Sequence, residues 1–401
     1  MSGDMAGNND VATGALPRHR LARLLPEGPE SDLLRAAALW PHCRPDAPLP
    51  YPPDPAALLA LAERHGMAPP LHALLSARGT HPAGTPLRDA RRRAGVRAMR
   101  QAAAVRRVTG ALADAGIDVL VLKGIALSQL LYGAPDLRPA VDIDLLVARE
   151  RALDAHRVLE TLGYRLSSVM TVEELLALTK DAIYHGDGGT IELQWRPMRN
   201  RLLLPWDFAA LWAERITVRP FGIEVHTLAP ARYAVFLTVH GVHHGWERLR
   251  WLADVALLLR DPGDVDAALA QAEQDGSAPA LLHALALAHA ELDAPFADRH
   301  REAWLADRRA ATIDRVVATW TRARRSPSRL PVWVREQFML RQADLLLCPD
   351  LRSRIEEVRI LFRSPTDRTL FRLPAGLAFL YPLLRPVLLA VRLLRGDQQR
   401  R

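Results

Sequence analysis

Two aspartates separated by one residue give the clearest sign of chemistry in this sequence. Asp142 and Asp144 alternate with the apolar residues Val141, Ile143 and Leu145, and successive side chains of a β-strand point to opposite faces. The two carboxylates therefore share one face, with their Cα atoms roughly 6.6 Å apart. That spacing suits the cations of two-metal sites, which lie about 3.5–4 Å apart. Because like charges so close together resist ionisation, we expect this pair to bind a divalent cation.

A glycine turn upstream of the acids offers a place for phosphate. Residues 119–122 form an apolar run that predicts a strand, and residues 125–131 have the composition of a helix. A strand that turns at Gly124 directly into a helix N-terminus presents N–H groups and the positive end of the helix dipole, which favour an anion. Lys123 and, across the loop, Arg138 add positive charge. The nucleotide-binding residues predicted here are Lys123, Gly124, Ser128 and Arg138.

The identity of the basic residue in this turn is informative. Of the 53 basic residues in the chain only two are lysines, Lys123 and Lys180. A compact, flexible ammonium group and the planar arginine fork are not interchangeable. A lysine in this turn therefore indicates that a point charge is required there.

The motifs together resemble the uncharacterised bacterial nucleotidyltransferase family, a branch of the DNA polymerase β-like nucleotidyltransferase superfamily, and are similar to the nucleotidyltransferase toxins of abortive-infection systems. The resemblance lies in residues 122–124 (LKG), Arg138 and residues 142–147 (DIDLLV). In such proteins a glycine turn holds the triphosphate, two acids on one strand hold metal, and a third acid lies on a later strand. The usual turn has a serine directly after the glycine, where this chain has Ile125. Because this chain departs from the family pattern here, Lys123 is the candidate for the serine's phosphate-binding role.

The third acid is expected in a hairpin further along the chain. Residues 183–185 and 190–195 predict two strands joined by a glycine-rich turn. In the family the matching stretch has an acid, an apolar residue and commonly a histidine before tryptophan, and here it reads Glu192-Leu193-Gln194-Trp195. Glu192 is accordingly the predicted third carboxylate. His185, on the facing strand, is expected either to carry a proton or to cap the hairpin.

The resemblance implies a metal-dependent nucleotidyltransferase that uses Mg²⁺ or Mn²⁺ and a nucleoside triphosphate such as ATP. Asp142, Asp144 and Glu192 would be its catalytic and metal-binding residues. A carboxylate would draw the proton from an acceptor hydroxyl, which would attack the α-phosphorus and release pyrophosphate. The acceptor is open between a small molecule, a peptide or protein, and RNA, and DNA is not expected. Two alternatives stay open: a catalytically inactive protein that binds a nucleotide or partner through the same fold, and a helical interaction protein.

The composition of the whole chain indicates the class of protein in which these motifs occur. The 401 residues are 49% hydrophobic and 24% charged, which predicts a globular protein of two or three domains. The net charge of +8 comes almost entirely from arginine and identifies no partner. The two cysteines, Cys43 and Cys348, and a polar N-terminus without an apolar segment predict a cytoplasmic protein.

The fold class predicted is α+β, with a mixed sheet, flanking helices, and helical regions at both ends of the chain. The predicted segments are a disordered N-terminus (1–30), an N-terminal helical region (31–116), a nucleotidyltransferase core (117–228), and a C-terminal helical region with a basic apolar tail (229–401). Within residues 86–115, Val105, Val108 and Leu112 have helical spacing. The arginines beside them favour a solvated helix face over contact with RNA.

Two further features leave alternatives open. His240, His243 and His244 share one face of a predicted helix, but no second ligand cluster accompanies them, so a structural or substrate-facing role is favoured over zinc. In the tail, Arg372, Arg385 and Arg392 interrupt the apolar residues before roughly 18 follow without a break, as a spanning helix would need. Packing on the helical domain is favoured there over contact with a membrane surface or a partner.

Overall fold

The structure is a computed structural model that describes residues 21–42, 48–50, 54–79, 84–326 and 332–362, with single positions between 367 and 391. The chain divides into two compact units. The helical unit comprises residues 1–67 and 237–347, and the sheet unit comprises residues 68–236 and 348–401. The predicted segment 31–116 thus contributes to both units.

Helices account for most of the described residues. The α-helices are α1 (Pro29–Ala38), α2 (Pro55–His65), α3 (Ala68–Ala77), α4 (Gly84–Asp114), α5 (Gly124–Tyr132), α6 (Ala152–Thr161), α7 (Val172–Leu178), α8 (Phe208–Ala213), α9 (Pro230–His243), α10 (Leu249–Leu258), α11 (Pro262–Gln274), α12 (Ala278–Leu292), α13 (Asp298–Ala306), α14 (Arg308–Arg325), α15 (Val332–Leu347) and α16 (Leu351–Phe362). Two 3₁₀ turns lie at Arg149–Arg151 and Pro220–Gly222.

The sheet unit contains a mixed five-stranded sheet and a two-stranded ribbon. The strands are β1 (Val119–Leu122), β2 (Asp142–Val147), β3 (Arg165–Leu166), β4 (Asp181–Gly186), β5 (Gly189–Gln194), β6 (Ile216–Val218) and β7 (Val225–Thr227). The larger sheet has the order β1-β2-β5-β4-β3, and β6 pairs with β7. Strands β2 and β5 are parallel, whereas the pairs β1–β2, β3–β4 and β4–β5 are antiparallel.

One face of the five-stranded sheet forms the core of the sheet unit. One apolar cluster contains Ile143, Leu145 and Val147 of β2, Ile191 and Leu193 of β5, and side chains of α4 and α6. The helical spacing noticed in the sequence is part of this cluster, because Val105, Val108 and Leu112 of α4 are all at most 1% exposed. Since strand side chains alternate, burial of this face directs the intervening residues to the other face.

Helix α12 lies at the centre of the helical unit. Twelve of its fifteen residues are buried, which is typical of a helix surrounded by others. Its buried His283 accepts a 3.0 Å hydrogen bond from Trp246 at Nε2 and lies 2.6 Å from Asp314 Oδ1 at Nδ1. The second Asp314 oxygen accepts a 2.9 Å bond from Trp304. Because Nε2 accepts a hydrogen bond, Nδ1 carries the proton that His283 donates to Asp314.

The predicted fold class is confirmed. The predicted strand, glycine turn, helix and second strand correspond to β1, α5 and β2, and the predicted hairpin corresponds to β4 and β5. None of the helices in the part of the chain that the structure describes combines the length and apolarity needed to cross a lipid bilayer.

Some of the predictions concern residues outside the described ranges. They concern residues 1–20 of the expected N-terminal segment, Cys43, and most of the C-terminal tail, including Arg372 and Arg392. Within the tail, Arg385 is paired with the buried Asp367 at 2.6 Å.

Candidate active site

The face of the sheet opposite the core carries the predicted acids. Asp144 of β2 lies directly beside Glu192 of β5 in the parallel register, and Asp142 lies two residues earlier on the same face. Asp144 is 3% exposed, while Asp142 and Glu192 are half-buried. The structure thus brings Asp144 and Glu192 together although they are far apart in the sequence.

Helix α4 fixes the start of the acidic strand. The Gln101 side-chain amide donates hydrogen bonds of 3.3 Å to the Ala140 carbonyl and 3.2 Å to the Asp142 carbonyl. A buried amide that binds two backbone oxygens restrains the backbone to which they belong. The position of Asp142 is therefore set by the helix below it as well as by the sheet.

The glycine turn between β1 and α5 contains backbone of unusual geometry. Lys123 has φ 53° and ψ −147°, and Gly124 has φ 49°. A positive φ is unfavourable for a residue with a Cβ atom, and such strain concentrates at functional sites. The Lys123 N–H donates a 2.5 Å hydrogen bond to the Tyr233 hydroxyl, which holds the turn in this conformation.

The Lys123 side chain points towards the acids. Its Nζ lies 3.5 Å from Asp144 Oδ1 and 5.4 Å from the centre of the Phe236 ring. The side chain is 17% exposed. The Lys123 side chain therefore extends from the glycine turn and places a positive charge beside the acidic face.

The loop between α5 and β2 is held by residues predicted to bind nucleotide. The buried Ser128 hydroxyl donates a 2.7 Å hydrogen bond to the Ala134 carbonyl and accepts a 3.0 Å bond from the Arg138 N–H. Both hydrogen bonds hold the loop, so contact with a nucleotide would compete with them. In the same loop, Asp136 lies 2.5 Å from Arg91 of α4.

Lys180, the other lysine of the chain, also belongs to this face. Its Nζ lies 2.6 Å from Glu192 Oε1 and 2.7 Å from Asp181 Oδ2. Helix α7 ends at Leu178, so Lys180 follows the helix and immediately precedes β4. Both lysines of the chain therefore contact the predicted carboxylates.

Gln194 lies between the two neighbouring acids. Its Nε2 donates a 2.8 Å hydrogen bond to Asp144 Oδ1 and a 3.1 Å bond to Glu192 Oε1. The opposite orientation of the amide would place three acceptors together, which fixes the assignment of nitrogen and oxygen. Gln194 is 1% exposed, and its Oε1 is a buried acceptor without a hydrogen-bond partner among the described residues.

The two neighbouring acids differ in basicity. Burial raises the pKa of Asp144 to about 6; the Lys123 ammonium opposes this shift, and the Glu192 carboxylate adds to it. Burial alone would also raise the pKa of Glu192, but the Lys180 ammonium and a hydrogen bond with Asp181 hold that pKa well below its ordinary value. Asp144 is therefore suited to accept a proton near neutral pH, whereas Glu192 stays ionised.

The predicted histidines have other surroundings. His185 is exposed on β4, and its Nδ1 lies 3.1 Å from the Thr190 hydroxyl across the hairpin, the contact expected of a hairpin cap. His240 and His243 belong to the helical unit. There the His240 ring lies 5.2 Å from the Trp251 ring, and His243 Nδ1 lies 2.5 Å from Asp344 Oδ1. A substrate-facing role for His240 and His243 remains a prediction.

The acids have the donor type that suits Mg²⁺, which prefers carboxylate oxygens and is commonly held by one or two carboxylates together with substrate phosphates. Asp142 and Asp144 offer such a pair on one face of β2. Among the residues that the structure describes, no three His, Cys, Asp or Glu side chains form a group that could hold a metal ion.

Analysis of the sequence missed three residues at this site: Lys180, Asp181 and Tyr233. Lys180 lies between α7 and β4, outside the motifs that carry the resemblance. The scarcity of lysine, which singled out Lys123, applies equally to Lys180 and was the available signal. Asp181 and Tyr233 carry no comparable signal, since their roles depend on tertiary contacts.

The sequence pattern of the family described as "Uncharacterised nucleotidyltransferase" matches residues 51–293. Among solved structures, the chain is similar to an antigenic nucleotidyltransferase-like protein from Paracoccidioides brasiliensis, with 19% identity and a TM-score of 0.29, over 45% of this chain and 91% of that chain. No curated protein matches the chain.

Proposed function

Since the chain belongs to the uncharacterised nucleotidyltransferase family, we propose that it transfers a nucleoside monophosphate from a nucleoside triphosphate to an acceptor hydroxyl. The observation that carries this proposal is the pairing of Asp144 with Glu192 on adjacent strands, beside the turn that holds Lys123. The acceptor class is a small molecule, a peptide or protein, or RNA.

The glycine turn is the proposed binding site for the triphosphate. Helix α5 has nine residues, and the first-turn N–H groups of a helix have no acceptor within the helix. Together with the helix dipole they favour an anion, and the Lys123 ammonium adds a point charge between the turn and the acids. A triphosphate bound there would have its α-phosphorus towards the acidic face.

The acids would perform the proton transfer. Asp144, whose pKa is raised to about 6, would accept the proton of the acceptor hydroxyl. The hydroxyl oxygen would then form a bond to the α-phosphorus, and the bond from this phosphorus to the oxygen bridging to the β-phosphorus would break. Pyrophosphate would leave, and Gln194 would hold Asp144 and Glu192 in place throughout.

Mg²⁺ or Mn²⁺ is the cofactor that this chemistry requires. Asp142 would hold the ion together with phosphate oxygens. When bound, the ion would offset negative charge on the phosphates.

A radiolabelled-nucleotide assay tests the proposal. The protein is incubated with Mg²⁺, a cell extract and each of the four α-labelled triphosphates in turn, and pyrophosphate and labelled products are measured. We expect Asp144→Asn to lower the rate roughly 100-fold or more, because it removes a proton acceptor. The matched control is Asp154→Asn, the same change at an acid of α6 that pairs with Arg151. This variant should retain the rate.

A catalytically inactive, nucleotide-binding protein is the second candidate. It is favoured by the observation that Lys123, Lys180 and Gln194 already pair with the acids. It predicts nucleotide binding without pyrophosphate release, and binding that is unchanged by Asp144→Asn. Turnover that depends on Asp144 would exclude it.

A further inference from the structure

We propose that Lys180 occupies, as a built-in ammonium group, the position beside Glu192 where a second divalent cation would otherwise lie. The active site would then take a single divalent cation, on the Asp142 side of the acidic face. This inference rests on the proposed function, because it concerns the metal requirement of the same site.

The contacts of Lys180 resemble those of a bound cation. Its Nζ lies between two carboxylate oxygens, 2.6 Å from Glu192 and 2.7 Å from Asp181. A lysine ammonium is a compact point charge, and this one contacts the carboxylate that is predicted to complete the metal-binding set. A second metal ion at Glu192 would have to displace it.

The Gln194 side-chain oxygen offers a further hydrogen-bond acceptor beside the acids. An unsatisfied buried acceptor costs about 1–3 kcal/mol, so such groups usually have a partner in the functional state. Gln194 Oε1 is buried and has no partner among the described residues, while Nε2 of the same amide contacts Asp144 and Glu192. A water molecule bound to the single cation, or the acceptor hydroxyl, would donate the missing hydrogen bond.

Counting bound Mn²⁺ tests the proposal without any need for turnover. The wild-type protein is titrated with Mn²⁺ alone at pH 8, and free Mn²⁺ is measured by electron paramagnetic resonance. We expect the wild type to bind one ion. Lys180→Gln should bind a second ion, or bind the first roughly tenfold more tightly, because an ammonium close to the carboxylates is removed.

Two control variants separate position from total charge. Arg157→Gln removes one positive charge at an exposed arginine paired with Asp154 and should bind Mn²⁺ as the wild type does. Lys180→Arg keeps the charge and should also bind one ion. The proposal is overturned if the wild type binds two ions or none, or if Lys180→Gln and Arg157→Gln have the same count and affinity.

A second measurement uses the unaltered chain. Because the sequence contains only two lysines, acetylation by an N-hydroxysuccinimide ester followed by mass spectrometry reports on Lys123 and Lys180 separately. With Mg²⁺ and a non-hydrolysable triphosphate, we expect Lys123 to become protected while the reactivity of Lys180 does not increase. Increased reactivity of Lys180 would show that metal has displaced it, and the proposal would fail. Unchanged reactivity of Lys123 would instead contradict the proposed nucleotide site.

Discussion

The side-chain amide of Gln194 donates a 2.8 Å hydrogen bond to Asp144, fifty positions earlier in the chain. The same nitrogen also reaches Glu192, so one amide restrains both acids of the parallel strand pair. In proteins that this sequence resembles, the position is commonly a histidine. A neutral donor at this place keeps the two carboxylates close together without adding a charge of its own.

Replacement of Gln194 by leucine should make Asp144 more basic. The change removes a hydrogen bond that favours the ionised carboxylate, so the pKa of Asp144 should rise by roughly one unit. Because a general base must be deprotonated to act, the acidic limb of the kcat/KM profile should move to higher pH. Gln271→Leu removes an amide of α11 that donates a hydrogen bond to Asp275 and should leave the limb in place. An unchanged limb in Gln194→Leu would exclude Asp144 as the group responsible.

Lys123→Gly should yield a more stable protein than Lys123→Ala. Both variants lose the ammonium group, but only glycine adopts φ 53° without strain, and the difference should be roughly 1–2 kcal/mol in the free energy of unfolding. Urea denaturation measures it. At Lys180, which is not among the described residues with positive φ, the order should be reversed. Equal stability of the two Lys123 variants would mean that the turn relaxes once the lysine is removed.

The helical unit should lose stability below pH 6.5 through His65. This histidine is buried, accepts a 3.1 Å hydrogen bond from the Leu249 N–H, and burial with the neighbouring Arg64 lowers its pKa to about 4. Because the unfolded chain takes up a proton near pH 6.5 and the folded chain does not, acidification from pH 6.5 to 4 favours unfolding. The loss should be about 3 kcal/mol.

The measurement that tests the role of His65 is the slope of the free energy of unfolding against pH, compared between variants and the wild type. His65→Gln keeps a hydrogen-bond acceptor but does not titrate, so its stability should fall less steeply over this range. His185→Gln, the same change at an exposed histidine, should retain the wild-type slope. Parallel slopes for His65→Gln and wild type would assign the acid sensitivity to other groups.

Asp314→Ala should strongly destabilise the helical unit. Asp314 accepts hydrogen bonds from His283 and Trp304 in a fully buried network. Its removal leaves two buried donors unpaired, which costs about 3 kcal/mol or more. Chemical denaturation followed by tryptophan fluorescence measures the change. Asp266→Ala removes an exposed carboxylate that contacts Arg299 and His300 and should have a much smaller effect.

Local sequence patterns were sufficient to predict the elements around the site. Alternation in residues 141–145 placed Asp142 and Asp144 on one face of a strand, and Gly124 marked the start of α5, as observed. These predictions succeed because strand alternation and helix starts depend on neighbouring residues.

The contacts between these elements depend on tertiary structure. Lys180 and Gln194 reach the acids only because β2 pairs in parallel with β5 and β5 with β4. No property of residues 180 or 194 specifies that pairing, which the buried face of the sheet determines. The sequence therefore suggested Glu192 as the third acid by resemblance, but it gave no indication that an ammonium group would accompany it.

The side chains of β5 alternate between the apolar core and the acidic face, so its register affects both stability and the proposed active site. If the strand paired one residue out of step, Leu193 would replace Glu192 beside Asp144, and the Glu192 carboxylate would turn towards the apolar cluster on the opposite face. Such a slip would simultaneously bury a charge and remove the acid, so misregistered molecules would be unstable as well as inert. Insertions and deletions should accordingly be excluded from β5 itself, where selection for a packed interior also preserves the spacing of the reactive groups.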